Sequence, residues 1–549
     1  MRFKVFELRI LSHTYLFASW LFALLLFSCN NYYDPQQFVI DGLKFHVKKD
    51  GTLEIIKGSE IKTGDLIIPE QVTYRGKTYT VTSIGEFALA YHSNLTSVML
   101  PPTVKRLESH CFAECTMLQN FIETGSVEFI GEWAFFACNA LETFSIGESV
   151  SSINPFAFAA CQHLKQFVVH KKNPYFSTTD GILMNHNKTT IVRYPPGKHA
   201  TSYTIPEGIK TIYDSAFSQN ENLVEVTFPN TLTTIETYAF DGCSQLREVK
   251  FPNSLMSIGS GAFYLCHSLV KAEIPSSVKS IGDYAFYGCE AMKDFVVSPQ
   301  SSAYSSIDGI LFNKDATVLI DYPAAKPYTE YVVPKSVKKI EKSVFSNNQT
   351  LTSIVLPDGL TSICDYAFNS CHNLSKINIP ETVKNIEKCA FYCCCKLTRI
   401  DLPQSIETIS NSCFYRCSSL KHLKLPNSVK LIESSAFAYC TDLAYVVLPE
   451  NLTRIDDFSF YNCTNLTDIV LPNTTDYIGK ASFGGNEKLK SIYCKSKKPL
   501  DIDINTFSDV DRQKCSIYVP KGCSKAYETK EIWQDFKNIS ELAIDMICF

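Results

Sequence analysis

The apolar positions of this 549-residue chain recur with a single period over most of its length. From Leu420 to Cys440, Leu420, Leu423 and Leu425 are spaced with polar His422 and Lys424 between them. Pro426 then interrupts, and Val429, Ile432, Ala436, Phe437 and Cys440 follow at wider spacing. Alternation of this kind lays one face of a short strand against a core. Proline, which has no N–H, marks where strand pairing stops. The layout returns every 23 residues: Pro206, Pro229, Pro252 and Pro275 share one register, and Pro334, Pro357, Pro380, Pro403, Pro426, Pro449 and Pro472 another. Phenylalanine follows eleven residues after each proline, from Phe217 to Phe286 and from Phe345 to Phe483. One such unit cannot cover its own leucines, so the units must stack and bury one another. The expected fold is a leucine-rich-repeat solenoid, mainly β with short irregular or helical returns, of about sixteen coils.

A third column lies three residues beyond the phenylalanine: Cys115, Cys138, Cys161, Cys243, Cys266, Cys289, Cys371, Cys394, Cys417, Cys440 and Cys463, with Asn220, Asn348 and Asn486 in three turns. Twenty-two cysteines in an exported chain first suggest a disulfide framework. Exchange with asparagine at a fixed place points instead to an inward ladder of free thiols that satisfies loop backbone.

The period breaks twice. Phe158 to Phe217 and Phe286 to Phe345 both span 59 residues, and the two interruptions match at an offset of 128. Asp180-Gly181-Ile182-Leu183 corresponds to Asp308-Gly309-Ile310-Leu311, and Tyr194-Pro195 to Tyr322-Pro323. Each reads as a β-hairpin insertion, near residues 167–205 and 295–333, with a polar reversal at His186–Lys188 or Asn313–Asp315. Two readings stand: a ligand-binding projection, or a decoration that widens one coil.

Arg2, Lys4 and Arg9 precede an apolar run from Tyr15 to Phe27, thirteen residues where a bilayer span needs about 20. The run ends in Leu26-Phe27-Ser28-Cys29, which resembles a bacterial lipobox. That resemblance implies cleavage before Cys29 and its lipidation; the alternative is an uncleaved anchor helix reaching back to Leu8.

Lys plus Arg number 52 against 56 Asp plus Glu, without a basic face, which excludes a nucleic-acid footprint. The chain has no HExxH, GxSxG, P-loop or dinucleotide fingerprint, so neither an enzyme nor a cofactor is expected. Cys389, Cys393, Cys394 and Cys395 are dense, but Cys394 already belongs to the ladder and no His or CxxC lies nearby, so no metal is expected. Strand residues that point away from the core form columns across the coils. Four before each proline stand Lys376, Arg399, His422 and Tyr445, a basic and aromatic strip about 15 Å long at about 4.8 Å per strand, suited to an acidic or glycan-bearing ligand. The alternative is a solvated ladder in which Asp401 and Lys424 pair with these neighbours.

The unit is similar to that of the BspA-like leucine-rich repeat proteins, LxxLxLPxSVxxIxxxAFxxC. Leu420, Leu423, Leu425-Pro426, Ser428-Val429, Ile432, Ala436-Phe437 and Cys440 fill its fixed positions. The resemblance covers roughly residues 66 to 540. It implies a lipid-anchored outer-membrane protein displayed on the cell surface, an adhesin for a protein or glycan ligand such as host matrix. The stretch after Cys29 lacks an acidic cluster, which leaves a periplasm-facing orientation open. An envelope scaffold without a specific ligand is the rival role. A glycan-handling enzyme would need paired carboxylates that cannot be placed. The expected organisation is a signal segment over 1–28, a linker and cap over 29–82, repeats over 83–510 and a closing cap over 511–549.

Overall fold

The computed structural model describes residues 36–61 and 64–542. The signal segment and Cys29 lie outside the described residues. Among those described, no helix is long and apolar enough to cross a membrane.

The chain winds as a β-solenoid of about 20 turns with the expected period. Successive coils are joined along three ladders. In the coil of Phe437, the strand His422–Lys424 runs parallel to Tyr445–Val447, with Leu423 opposite Val446. A second, two-residue strand, Leu431–Ile432, pairs with Arg454–Ile455. On the return, the amides of Ser435, Phe437 and Tyr439 donate to the carbonyls of Asp457, Ser459 and Tyr461 at 3.0, 2.8 and 2.7 Å. Backbone groups that a lone loop would leave to water are thereby paired with the next coil.

These returns are turns rather than helices. Two left-handed residues flank most of these phenylalanines, as Ser435 (φ 59°) and Tyr439 (φ 61°) flank Phe437, and Phe458 (φ 58°) and Asn462 (φ 57°) flank Phe460. The left-handed region costs an L-residue about 1–2 kcal/mol, and the inter-coil bonds on the same residues offset it. Valine, isoleucine and threonine do not hold these flanking places, because β-branching makes the conformation worse. Cys389 (φ 55°) and Cys393 (φ 58°) occupy two of them, so the dense cysteine cluster follows from the turn it sits on.

The inward ladder forms as the exchange with asparagine implies. Each ladder thiol donates to a carbonyl one coil earlier, that of Leu89 for Cys115 and of the phenylalanine for the rest: Cys266 to Phe240 at 3.2 Å, Cys371 to Phe345 at 2.9 Å and Cys440 to Phe414 at 3.2 Å. Asn486 makes the same bond to Phe460 at 3.1 Å. Asn220 and Asn348 each follow an insertion and bond within their own coil, Asn220 to the Phe217 carbonyl and Asn348 from the Leu351 amide, both at 2.8 Å.

The insertions correct the count of about sixteen coils. Each contains a full turn, in which tyrosine takes the phenylalanine's place: Tyr194 stacks on Phe217 at 5.0 Å and Tyr322 packs on Phe345 at 4.9 Å. Each is also a three-stranded meander rather than a single hairpin. Phe176–Thr179, Ile182–Asn185 and Thr190–Arg193 pair antiparallel, and Tyr304–Ile307, Ile310–Asn313 and Val318–Asp321 repeat the pattern. Asp180 and Gly181, with φ of 53° and 73°, form the two-residue reversal that suits twisted strands.

Neither meander projects as a free arm. The middle strand is a wall: Leu183 belongs to the core before it, while Ile182 and Met184 belong to the core after it. Leu311 and the pair Ile310 and Phe312 divide in the same way. Period-2 alternation thus splits one continuous stack into three cores.

At the first end, Gln37–Ile40, Leu43–Val47 and Leu53–Ile55 form an antiparallel meander whose last strand pairs with Lys77–Ile84. At the other end, Trp533 and Phe536 pack against Phe507 at 5.8 and 5.7 Å. Both end coils are therefore covered, which a stack with apolar edges requires.

Candidate functional site

The outward strand column carries the residues expected of a ligand strip. Lys376, Arg399 and His422 are exposed and Tyr445 is half-buried. His422 and Tyr445 stand opposite each other on paired strands. Strand pairing lapses at Arg399: one outer sheet ends with Lys376–Ile377 and the next begins with His422–Lys424. Arg399 is already engaged, since its Nη2 donates to Asp401 Oδ1 at 3.0 Å with both side chains 77% exposed. The strip is present, and its central cation sits in a solvated ion pair, as the alternative reading has it.

A second feature of this face was not read from the sequence. Two before Pro69 and Pro101, and two before Thr124 in the matching place, Ile67, Met99 and Ile122 stand in register on three parallel strands. Ile67 is 70% exposed, and Met99 and Ile122 are exposed beside it. Val332 and Val355 repeat the arrangement further along. The signal was available: the proline column fixes which residue points outward.

A concavity lies at the second insertion. A cavity of about 380 Å³ opens between the coils on either side, lined by Tyr284, Tyr287, Leu311, Asp321, Tyr322 and Ser343 among others. Two contacts cross from the coil before the insertion to the coil after it: Lys342 Nζ to Asp283 Oδ2 at 2.7 Å and Asn347 Nδ2 to the Tyr287 hydroxyl at 3.2 Å. Asp321 comes from the last meander strand, opposite Leu311. Its side chain has no hydrogen-bond or ion-pair partner among the described residues, and desolvation raises its carboxyl up to about 7.

The first insertion holds Arg193 at the same place, opposite Leu183. This guanidinium is buried and reaches the carbonyls of Ser215 and, at 3.3 Å, Ser218. Burial lowers it to about 10, against the pull of Cys161, Cys243 and Asp241.

One thiol differs from the ladder. Cys395 Sγ lies 3.7 Å from His372 Nδ1, a histidine one coil away that local spacing did not reveal. Hydrogen bonds with Cys393 and His372 pull this thiol down from its ordinary value, whereas burial pushes Cys371 and Cys463 up to about 12. Among the described residues, no three His, Cys, Asp or Glu side chains are grouped to hold a metal ion.

The model of the BspA type leucine rich repeat region matches residues 77–182, 197–317, 325–444 and 407–529. The chain belongs to this family. Among solved structures, a leucine rich cell surface protein from Faecalibacterium prausnitzii is 26% identical over 82% of this chain and 96% of its own, with a TM-score of 0.37. A leucine-rich repeat protein from Eubacterium ventriosum is 21% identical over 81% and 93%, at 0.49. The pneumococcal vaccine antigen PcpA is 20% identical over 92% and 97%, at 0.32. No curated protein matches the chain. The matched BspA-type segments take in most of both insertions, including Arg193's neighbours Ser215 and Ser218 and the Asp321 coil's flanks.

Proposed function

We propose that this BspA-type chain is a cell-envelope binding protein without catalytic activity, an adhesin for protein or glycan ligands. In this reading the leader is cleaved, Cys29 is lipidated, and the array is displayed at the outer-membrane surface. Membership of a leucine-rich-repeat family supports a ligand-binding role, since stacked repeats present long ordered faces to partners. The observation that carries the proposal is the in-register apolar ladder Ile67, Met99 and Ile122 on the outward sheet. An envelope scaffold has no use for solvent-facing apolar columns, whereas a partner's surface would bury them.

The test is saturable binding of the full chain to immobilised matrix proteins and a glycan array. The triple change Ile67→Ser, Met99→Ser, Ile122→Ser should abolish capture of the ligand found while leaving the melting temperature in place. Capture that survives both this change and Arg399→Ala with Tyr445→Ala would sink the outward face as the binding surface. Protease shaving of intact cells checks display, and complete protection contradicts it.

A further inference from the structure

The two insertions match residue for residue in their pairing, yet they differ in the charge they carry at one position. Asn185 Oδ1 accepts from Thr189 and Thr190 at 2.8 and 3.0 Å, and Asn313 Oδ1 accepts from Thr317 and Val318 at 2.8 and 2.9 Å. Lys198 reaches the hairpin tip at Asp180, and Lys326 reaches the matching tip at Asp308. Against that shared frame, Arg193 is replaced by Asp321. Asp241, the acid nearest Arg193 and itself bonded by Ser218 and Gln219, is replaced by Asn369, whose Nδ2 donates to Ser346 Oγ at 3.0 Å.

The consequence is an imbalance. In the first copy a buried cation has two backbone carbonyls and an acid close by. In the second copy the cation is missing, its acid is neutral, and an acid stands where the cation's stem began. Asp321 is half-buried on the cavity wall with no protein partner among the described residues, and partial loss of water there makes it hold its proton to higher pH. The volume that Arg193 fills in the first copy is matched by an open cavity of about 380 Å³ in the second. That is within the range of small-ligand sites.

We propose that this cavity is a binding site for a guanidinium group supplied from outside the chain, which takes the place Arg193 occupies in the first insertion. The Ser343 and Ser346 segment, counterpart of Ser215 and Ser218, offers the carbonyl edge, and Asp321 supplies the charge. A planar guanidinium suits this set because its forked donors can serve a carboxylate and carbonyls together. Tyr284 and Tyr287, 6.1 Å apart and edge-on to each other, add aromatic wall on which a guanidinium plane can rest. The site is separate from the outward sheet face and does not depend on that face binding anything.

The test is calorimetric titration of the full chain at pH 8 with N-acetyl-arginine methylamide, butylguanidinium and N-acetyl-citrulline methylamide. The cationic probes should bind saturably, and the neutral citrulline probe should bind about tenfold or more weaker, the size of a lost charged hydrogen bond. Binding should weaken as pH falls below 7, where Asp321 takes up its proton. Asp321→Asn should remove the preference for charge. Asp321→Arg should plug the cavity from within, abolishing binding while raising the melting temperature; if that variant does not fold, Asp321→Asn still decides the matter. A tighter capped arginine than butylguanidinium assigns the source to a polypeptide, and equal affinities assign it to a small guanidino compound. Equal binding of the citrulline probe, unchanged binding by Asp321→Asn, or no saturable binding of either cation overturns the proposal.

Discussion

The two insertions offer an internal comparison: one backbone plan, used twice, with opposite charges at one position, buried as Arg193 and half-buried as Asp321. Ile191-Val192-Arg193-Tyr194-Pro195 and Leu319-Ile320-Asp321-Tyr322-Pro323 both end a meander whose middle strand walls off one core from the next. Backbone bonding, hairpin tips and the stacked tyrosine are the same in each. The arginine copy closes on itself through the carbonyls of Ser215 and Ser218. The aspartate copy is left with a cavity and an unsatisfied acid. The difference teaches that architecture in this solenoid comes from the meander's alternating apolar strand, while the neighbouring polar position is free to be a plug or a site.

The largest expected effect comes from the wall. Leu183→Ala and Leu311→Ala remove equivalent wall residues, both fully buried. Each should cost about 2–5 kcal/mol, because each holds the same place in the wall between two cores. Next comes removing the plug. Arg193→Met keeps most of the volume but leaves the Ser215 and Ser218 carbonyls without their buried donor, and it should destabilise by about 1–3 kcal/mol. Asp321→Met should do the opposite at pH 8, raising stability by removing an uncompensated acid. Urea melts of all four variants check this, and effects of the same sign at Arg193 and Asp321 would break the comparison. The smallest effect belongs to the hairpin tips. The Lys198–Asp180 pair at 3.0 Å has a carboxylate 74% exposed, so Lys198→Met should cost no more than about 1 kcal/mol. Lys326, buried against Asp294 at 2.9 Å, should cost more when changed in the same way. A larger loss at Lys198 would reverse that ordering.

Much of this was legible in the chain. The proline, phenylalanine and cysteine columns carry the period, the inward ladder and the outward strip, because each column is imposed by one contact repeated in every coil. Tyr194 and Tyr322 hid two turns, since a tyrosine in the ring stack breaks the phenylalanine count without breaking the packing. The left-handed returns were not legible, for Ser, Tyr, Cys, Arg and Asn all occupy them and only the absence of β-branched residues hints at the conformation. His372 and Cys395 meet across neighbouring coils, which local motif spacing cannot register. Arg193 and Asp321 were visible as a mismatch at the 128-residue offset, but what a mismatch means depends on burial, and burial came from the wall that divides the cores.

The most direct test of the central claim is the melting temperature of the wild-type chain against Asp321→Asn from pH 4 to 8. The folded chain holds the Asp321 proton up to about 7 whereas the unfolded chain releases it near 3.8. Wild-type stability relative to the variant should therefore fall as pH rises through that window and level off above 7. Two curves that run parallel across the whole range would show that Asp321 is an ordinary solvated carboxylate, and the contrast between the insertions would lose its physical basis.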